Sequence, residues 1–243
     1  MKKRSVTVLL MVFILMLTGC GNSNSAEVST GADSQMTENT DQTEGNENVD
    51  NAVLDQDTND GSILRAVLLG DTQFLYVSDG NTEAMDITDV PSIFDPYDSD
   101  MKIWDFSVVD LDGDGEEEVV ISVFGVAGDM GGRMIFHQIG DKIYGYKTNY
   151  RTLVELKTDG TFDFSDLSGL LEGGFGAISD FSEHGYTIDK ITYGTGTHEG
   201  WNTFVVDRQP ATEEEYNDAE AIQKEKPDVK WYDFTDVIIK AAF

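Results

Sequence analysis

Two apolar runs, Phe106-Ser107-Val108-Val109 and Val119 to Phe124, flank a polar stretch from Asp110 to Glu118. The second run is apolar at every position except Ser122, which predicts a central strand buried on both faces. The first, with Ile103 at its start, predicts a strand over 103–109. Upstream, Ile63, Leu64, Val67 and Leu68 recur at helical spacing, with Ser62 placed to cap them and Gly70 to stop them. Gln73 to Ser78 then reads as a strand with a turn at Asp79-Gly80-Asn81, and Asp86 to Phe94 as a strand end and short helical turn. Downstream, short candidate strands follow quickly: Arg133 to His137, Lys142 to Lys147, Thr152 to Leu156, Thr161 to Phe164, Phe175 to Phe181, Tyr186 to Tyr193 and Asn202 to Val206. Tight turns between them, at Gly140-Asp141 and Asp159-Gly160, predict antiparallel pairing rather than βαβ units.

The last stretch changes period. Thr212 followed by Glu215 is a capping box, and Tyr216, Ala219 and Ile222 recur every three residues until Lys226-Pro227 ends the helix. Thr235 is placed to cap a final helix through Val237, Ile238 and Ala241, and Trp231, Tyr232 and Phe234 are expected to pack terminal helices on a sheet. The expected fold is α+β: a mainly antiparallel β meander with short helices at the N- and C-terminal ends, preceded by a disordered tether. Gly125, Gly128, Gly131 and Gly132 lead into a strand instead of a helix, so 125–132 reads as a mobile connection and not a dinucleotide loop.

Composition divides the chain before the domain begins. Lys2, Lys3 and Arg4 precede a 12-residue apolar run, Val6 to Leu17, too short for a typical spanning helix. Residues 21–60 hold ten Asp or Glu, no Lys or Arg, and few apolar side chains. Such a segment cannot offset its ordering entropy by burial and is expected to be a disordered tether. The net charge of −30 disfavours nucleic acid and anionic lipid surfaces as partners. The single cysteine, Cys20, allows no disulfide within the chain.

The stretch Asp110-Leu111-Asp112-Gly113-Asp114-Gly115-Glu116-Glu117-Glu118 carries the candidate chemistry. Carboxylates at alternate positions converge on a hard cation, and glycine at the sixth position permits the sharp turn. A helix-loop-helix calcium hand needs an apolar eighth residue and a glutamate at the twelfth; here stand Glu117 and Ile121. The pattern D-x-D-x-D-G-x-x-[DE] between two strands resembles the calcium loops of FG-GAP and related bacterial repeats. That resemblance implies calcium as a structural cofactor, ligands Asp110, Asp112, Asp114 and Glu118, and a further oxygen from the backbone of Glu116. It covers this one loop, and a propeller requires repeated blades.

Leu17-Thr18-Gly19-Cys20 resembles a bacterial lipobox, which implies cleavage before Cys20, lipidation of its sulfur and a place on the outer face of the membrane. The implied organisation is a signal peptide over 1–19, the lipidated Cys20 with its tether over 20–60, and the folded domain over 61–243. The whole is similar to uncharacterised lipoproteins of Gram-positive bacteria. No motif names a reaction. His137, His184 and His198 are far apart and lack zinc-ligand spacing, and no GxSxG elbow is present. Asp159, Asp163 and Asp166 form a second acidic run whose spacing fits no metal template. The sequence therefore supports a non-enzymatic surface lipoprotein that binds a protein or glycan ligand. The alternatives are a carbohydrate or cell-wall hydrolase using an acid pair, or a solute-binding lipoprotein. A concave cleft with two carboxyl groups and aromatic walls favours the hydrolase; a flat face favours the binding module.

Overall fold

A computed structural model of the chain describes residues 61–97, 100–125, 130–197 and 199–243. The expected signal peptide over 1–19, Cys20, the expected tether, Gly128 and His198 lie outside the described residues. The fold is α+β, with strands paired mainly antiparallel and four short α-helices among the described residues.

A seven-stranded sheet forms the centre. It comprises β1 (Phe74–Ser78), β2 (Asn81–Met85), β3 (Lys102–Val109), β4 (Glu118–Phe124), β5 (Met130–Ile139), β6 (Lys142–Lys147) and β12 (Tyr232–Asp233). The order across it is β12-β3-β4-β5-β6-β1-β2. Strands β3 to β6 are a simple antiparallel meander, and β1 joins β6 in parallel. A five-stranded sheet has the order β11-β10-β9-β8-β7. Its members are β7 (Phe162–Ser165), β8 (Glu172–Ser182), β9 (Gly185–Thr197), β10 (Gly200–Val206) and β11 (Gln209–Ala211).

Alternation along β4 explains how the layers assemble. Val119, Ile121 and Val123 enter one core with Phe106, Met134 and Phe136. Helices α1 (Ser62–Leu68), α2 (Val90–Phe94) and α4 (Asp236–Ala242) contribute to that same core through Leu64, Val67, Val90 and Ile239. Val120 faces the opposite way, into a second core with Ile135, Tyr146, Phe162, Phe164 and Ile178. Because successive strand side chains point to opposite faces, a run apolar at both parities must be covered on both. Helix α3 (Glu213–Glu225) packs on the five-stranded sheet beside β9 and β10.

Several local expectations change. Ser62 is the first residue of α1 rather than its cap; Gly61, at φ +71°, takes the cap position. Residues 152–156 form no strand, only a bridge between Val154 and Asp163. Leu153 and Glu155 adopt left-handed backbone, which turns both Leu153 and Leu156 into the second core, and the Arg133 guanidinium donates to the Leu153 carbonyl. Gly131 and Gly132 belong to β5, not to a connection. A Cβ on Gly132 would lie 2.7 Å from both the Phe94 ring and the Thr148 carbonyl oxygen, so glycine here serves close packing. In α3 the buried side chains are Tyr216 and Gln223, while Ile222 is 66% exposed. Gln223 stays inside because its amide donates to Thr161 Oγ1 at 2.9 Å, a polar anchor that hydrophobic periodicity does not register.

Candidate metal centre and groove

The stretch 110–117 is the connection between β3 and β4, whose last and first residues, Val109 and Glu118, are paired. The loop folds around its own first aspartate. Asp110 Oδ1 accepts from Gly113 N at 2.7 Å, and Oδ2 accepts from Gly115 N at 3.0 Å. Asp112 Oδ1 accepts from Asp114 N at 3.3 Å, and Asp114 Oδ1 from Glu116 N at 2.8 Å. Gly113 and Gly115 carry φ of +79° and +92°, which glycine adopts without the steric cost of a Cβ. Leu111 points the other way and is buried in the second core, so the loop is anchored by an apolar side chain between two acidic ones.

Asp110, Asp112 and Glu118 each offer a carboxylate oxygen, and these oxygens lie within 4.8 Å of one another, so the triad can hold a metal ion. Glu118 is the buried member, 1% exposed. Its Oε2 accepts from Leu111 N at 2.7 Å, and its Oε1 lies 2.8 Å from His137 Nδ1. With Glu118 ionised, Nδ1 carries the proton and donates. The His137 ring in turn stacks on Phe181, with centroids 4.3 Å apart and planes 15° apart. Burial raises the Glu118 carboxyl above its ordinary range, against the lowering effect of His137 and the Leu111 N–H. Burial and the neighbouring Asp114 raise Asp112 as well. Both shifts describe negative charge that the protein compensates incompletely, and a cation favours the ionised forms.

Asp114 and Glu116 are exposed and stand outside the converging triad. A carboxylate has roughly four lone-pair sites, so the bonds to backbone N–H groups leave Asp110 and Glu118 able to ligate. The set is all oxygen, which suits a hard cation such as calcium, magnesium or manganese. His137 was one of three histidines without a motif; β4–β5 register brings it beside Glu118, one step beyond the Val119–Phe136 pair. Nineteen residues of separation conceal that contact in the sequence.

The second acidic run separates completely. Asp159 pairs with Lys226 at 2.9 Å. Asp166 accepts from the Ser168 hydroxyl and from Glu172 N, Ser168 N and Leu171 N, and these bonds lower its pKa. Asp163, on β7, lines a groove of about 440 Å³ with Glu220 of α3, Tyr150, Arg151 and Trp201. Its Oδ1 is buried without a hydrogen-bond partner. Burial, with Glu220 and Glu155 nearby, pushes the Asp163 carboxyl up to about 6. A second hollow of about 430 Å³ shares Gly169, Trp201 and Tyr216 with the first and adds Glu199 and Glu213. None of the residues lining either hollow belongs to the 110–118 loop.

No protein-family model, curated protein or solved structure matches this chain.

Proposed function

We propose that the protein is a lipid-anchored, extracytoplasmic binding module whose folded domain is stabilised by calcium in the 110–118 loop. The observation that carries the calcium reading is the convergence of Asp110, Asp112 and Glu118 in a hairpin connection between two core strands. Calcium takes six to eight oxygens at about 2.3–2.6 Å in adaptable geometry, whereas magnesium demands a tighter octahedron and keeps its water. A surface loop rich in carboxylates and backbone carbonyls suits the first ion better. By the loop resemblance, Asp114 and the Glu116 carbonyl complete the shell. The role is structural: the ion ties β3 to β4 at the edge of both cores. Location rests on Leu17 to Cys20 and on the acidic composition of 21–60.

A hydrolase is the second reading, and one observation favours it: Asp163, with its raised pKa, shares a groove with a second carboxylate, Glu220. One detail weighs against sugar chemistry there: Glu220 Oε1 already accepts from the Tyr216 hydroxyl at 2.9 Å.

Fractionation and calorimetry test the proposal together. Native protein is expected in the detergent phase and Cys20→Ala in the aqueous phase or as unprocessed precursor. Calorimetry is expected to show one calcium site. Unchanged partitioning of the variant overturns the anchor, and absence of binding at millimolar calcium overturns the metal.

A further inference from the structure

The groove beside α3 has a built rim. The connection 166–171 between β7 and β8 exposes three leucines: Leu167 at 65%, Leu170 at 50% and Leu171 at 42%. A chain that only needed a turn here would place polar residues at those positions. The loop that carries them is held firmly. Asp166 gathers the backbone N–H groups of Ser168, Leu171 and Glu172. The Trp201 indole N–H donates to the Leu170 carbonyl at 3.0 Å, and Gly196 N donates to that of Leu171 at 3.0 Å. Cross-strand partners Gly173 and Gly194 leave the shallow slot in which the Trp201 ring lies, with Tyr216 perpendicular to it at 5.7 Å. The apolar side chains are therefore presented on a preorganised backbone, which lowers the entropy cost of binding.

The floor of the groove is acidic. Asp163 and Glu220 line one hollow, Glu199 and Glu213 the other. Arg151 lines the same hollow as Asp163, where it sits over the Tyr150 ring and donates to its hydroxyl; Lys224 lies 3.7 Å from Glu220, and Lys157 pairs with Asp228 at 2.6 Å, outside the groove. Asp163 Oδ1 is left with no partner. A cation arriving in the groove compensates the charge of this partly desolvated carboxylate.

We propose that this groove binds an extended peptide segment that is both basic and apolar, with a lysine or arginine of the ligand meeting Asp163 and Glu220 and its apolar side chains lying on Leu170 and Trp201. Charge complementarity selects the basic part, since the groove is acidic and the whole chain carries −30. The exposed leucines select the apolar part and argue against a neutral glycan, whose hydroxyls find no donors or acceptors on aliphatic side chains. The 21–60 segment of this same chain is a poor occupant, because it has ten acidic residues and no basic one. The inference rests on the binding-module reading but not on calcium or on Cys20, so the two fail separately.

The test uses the full-length protein in a non-ionic detergent with calcium present. Fluorescence anisotropy follows a labelled ten-residue peptide of alternating leucine and lysine, a leucine–glutamate counterpart, and a neutral hexamer of N-acetylglucosamine. The basic peptide is expected to saturate one site. Asp163→Asn and the surface change Leu170→Ser are each expected to weaken it at least roughly tenfold. Asp141→Asn, an exposed carboxylate outside the groove, removes the same charge and is expected to change affinity less than about twofold. Equal losses in all three variants would mean adsorption to an acidic surface and overturn the proposal. So would an absence of saturable peptide binding, or binding of the hexamer that Asp163→Asn abolishes.

Discussion

His137 Nδ1 lies 2.8 Å from Glu118 Oε1, and both residues are buried. Glu118 belongs to the triad that can hold a metal ion, and His137 to a neighbouring strand, with its ring stacked on Phe181 of β8. The pair therefore connects the loop to both sheets. His137→Leu removes the donor and leaves Glu118 Oε1 desolvated and unpaired, a cost of about 1–3 kcal/mol in the calcium-free protein. Calcium affinity is expected to fall roughly 10–100-fold, as for other groups that orient a ligand. Thermal melts with and without calcium, and calorimetric titration, check both; unchanged affinity would show that Glu118 needs no positioning.

Calcium itself is expected to raise the melting temperature. Six acidic side chains lie within 110–118, and their mutual repulsion opposes the compact loop until a cation arrives. With a dissociation constant on the order of 10⁻⁴ M, about 1 mM calcium stabilises the fold by about 1.4 kcal/mol. For a domain of this size that corresponds to a rise of about 3–5 °C. Asp112→Ala should abolish the rise. A wild-type melting curve indifferent to millimolar calcium would reduce the site to an acidic turn.

Gly160 supports the loop from outside. A Cβ there would lie 2.7 Å from the Asp110 carbonyl oxygen and 3.0 Å from that of Leu111, at a φ of +78°. Gly160→Ala is expected to cost about 1–3 kcal/mol and to shrink the calcium-induced shift. Gly140→Ala is the control. Its φ of +63° is similarly left-handed, but nothing stands within 4 Å of the added carbon, so the calcium response should survive. Equal calcium responses in the two variants would remove Gly160 from the account.

Asp163 makes stability depend on pH in a defined direction. Its carboxyl is raised from the model-compound value of 3.8 to about 6, so the folded state binds this proton more tightly than the unfolded chain. The ionised group therefore opposes folding progressively as pH rises from about 4 to about 6, and the penalty is full above that. Asp163→Asn removes it. The stability of the variant relative to wild type should improve between pH 4.5 and pH 7.5 by on the order of 1 kcal/mol, after discounting for solvent screening. Urea unfolding at the two pH values measures the difference, and a constant offset would mean that Asp163 titrates normally.

Local pattern sufficed for much of the architecture. β4 was legible because apolar residues at both parities demand cover on both faces, and β6 because Ile143, Tyr144 and Tyr146 follow the turn signal Gly140-Asp141. The capping box at Thr212 and Glu215 forms as its spacing requires, with Glu215 N donating to Thr212 Oγ1 and Glu215 accepting from Thr212 N. The hairpin position of Asp110 to Glu118 followed from the strands on either side. β2 escaped notice because Asn81 to Glu83 carry no apolar alternation; it exists by pairing with β1 at the edge of the sheet. Residues 152–156 misled because valine and leucines favour a strand, while the cavity between the sheets required Leu153 and Leu156 to point inward together. Within the loop, alternating charge points to Asp110, Asp112 and Asp114 and the loop resemblance adds Glu116 and Glu118, but only tertiary packing buries Glu118, sets Asp110 and Asp112 beside it and leaves Asp114 exposed. The same holds for Asp163. In sequence it is one acid among 46; its partnerless oxygen and its groove arise when β7 and α3, far apart along the chain, close over Trp201. Hydrophobic periodicity and turn chemistry act over a few residues and so are written locally. Desolvation, charge neighbours and cavity shape depend on which distant segments meet, and only the assembled fold decides them.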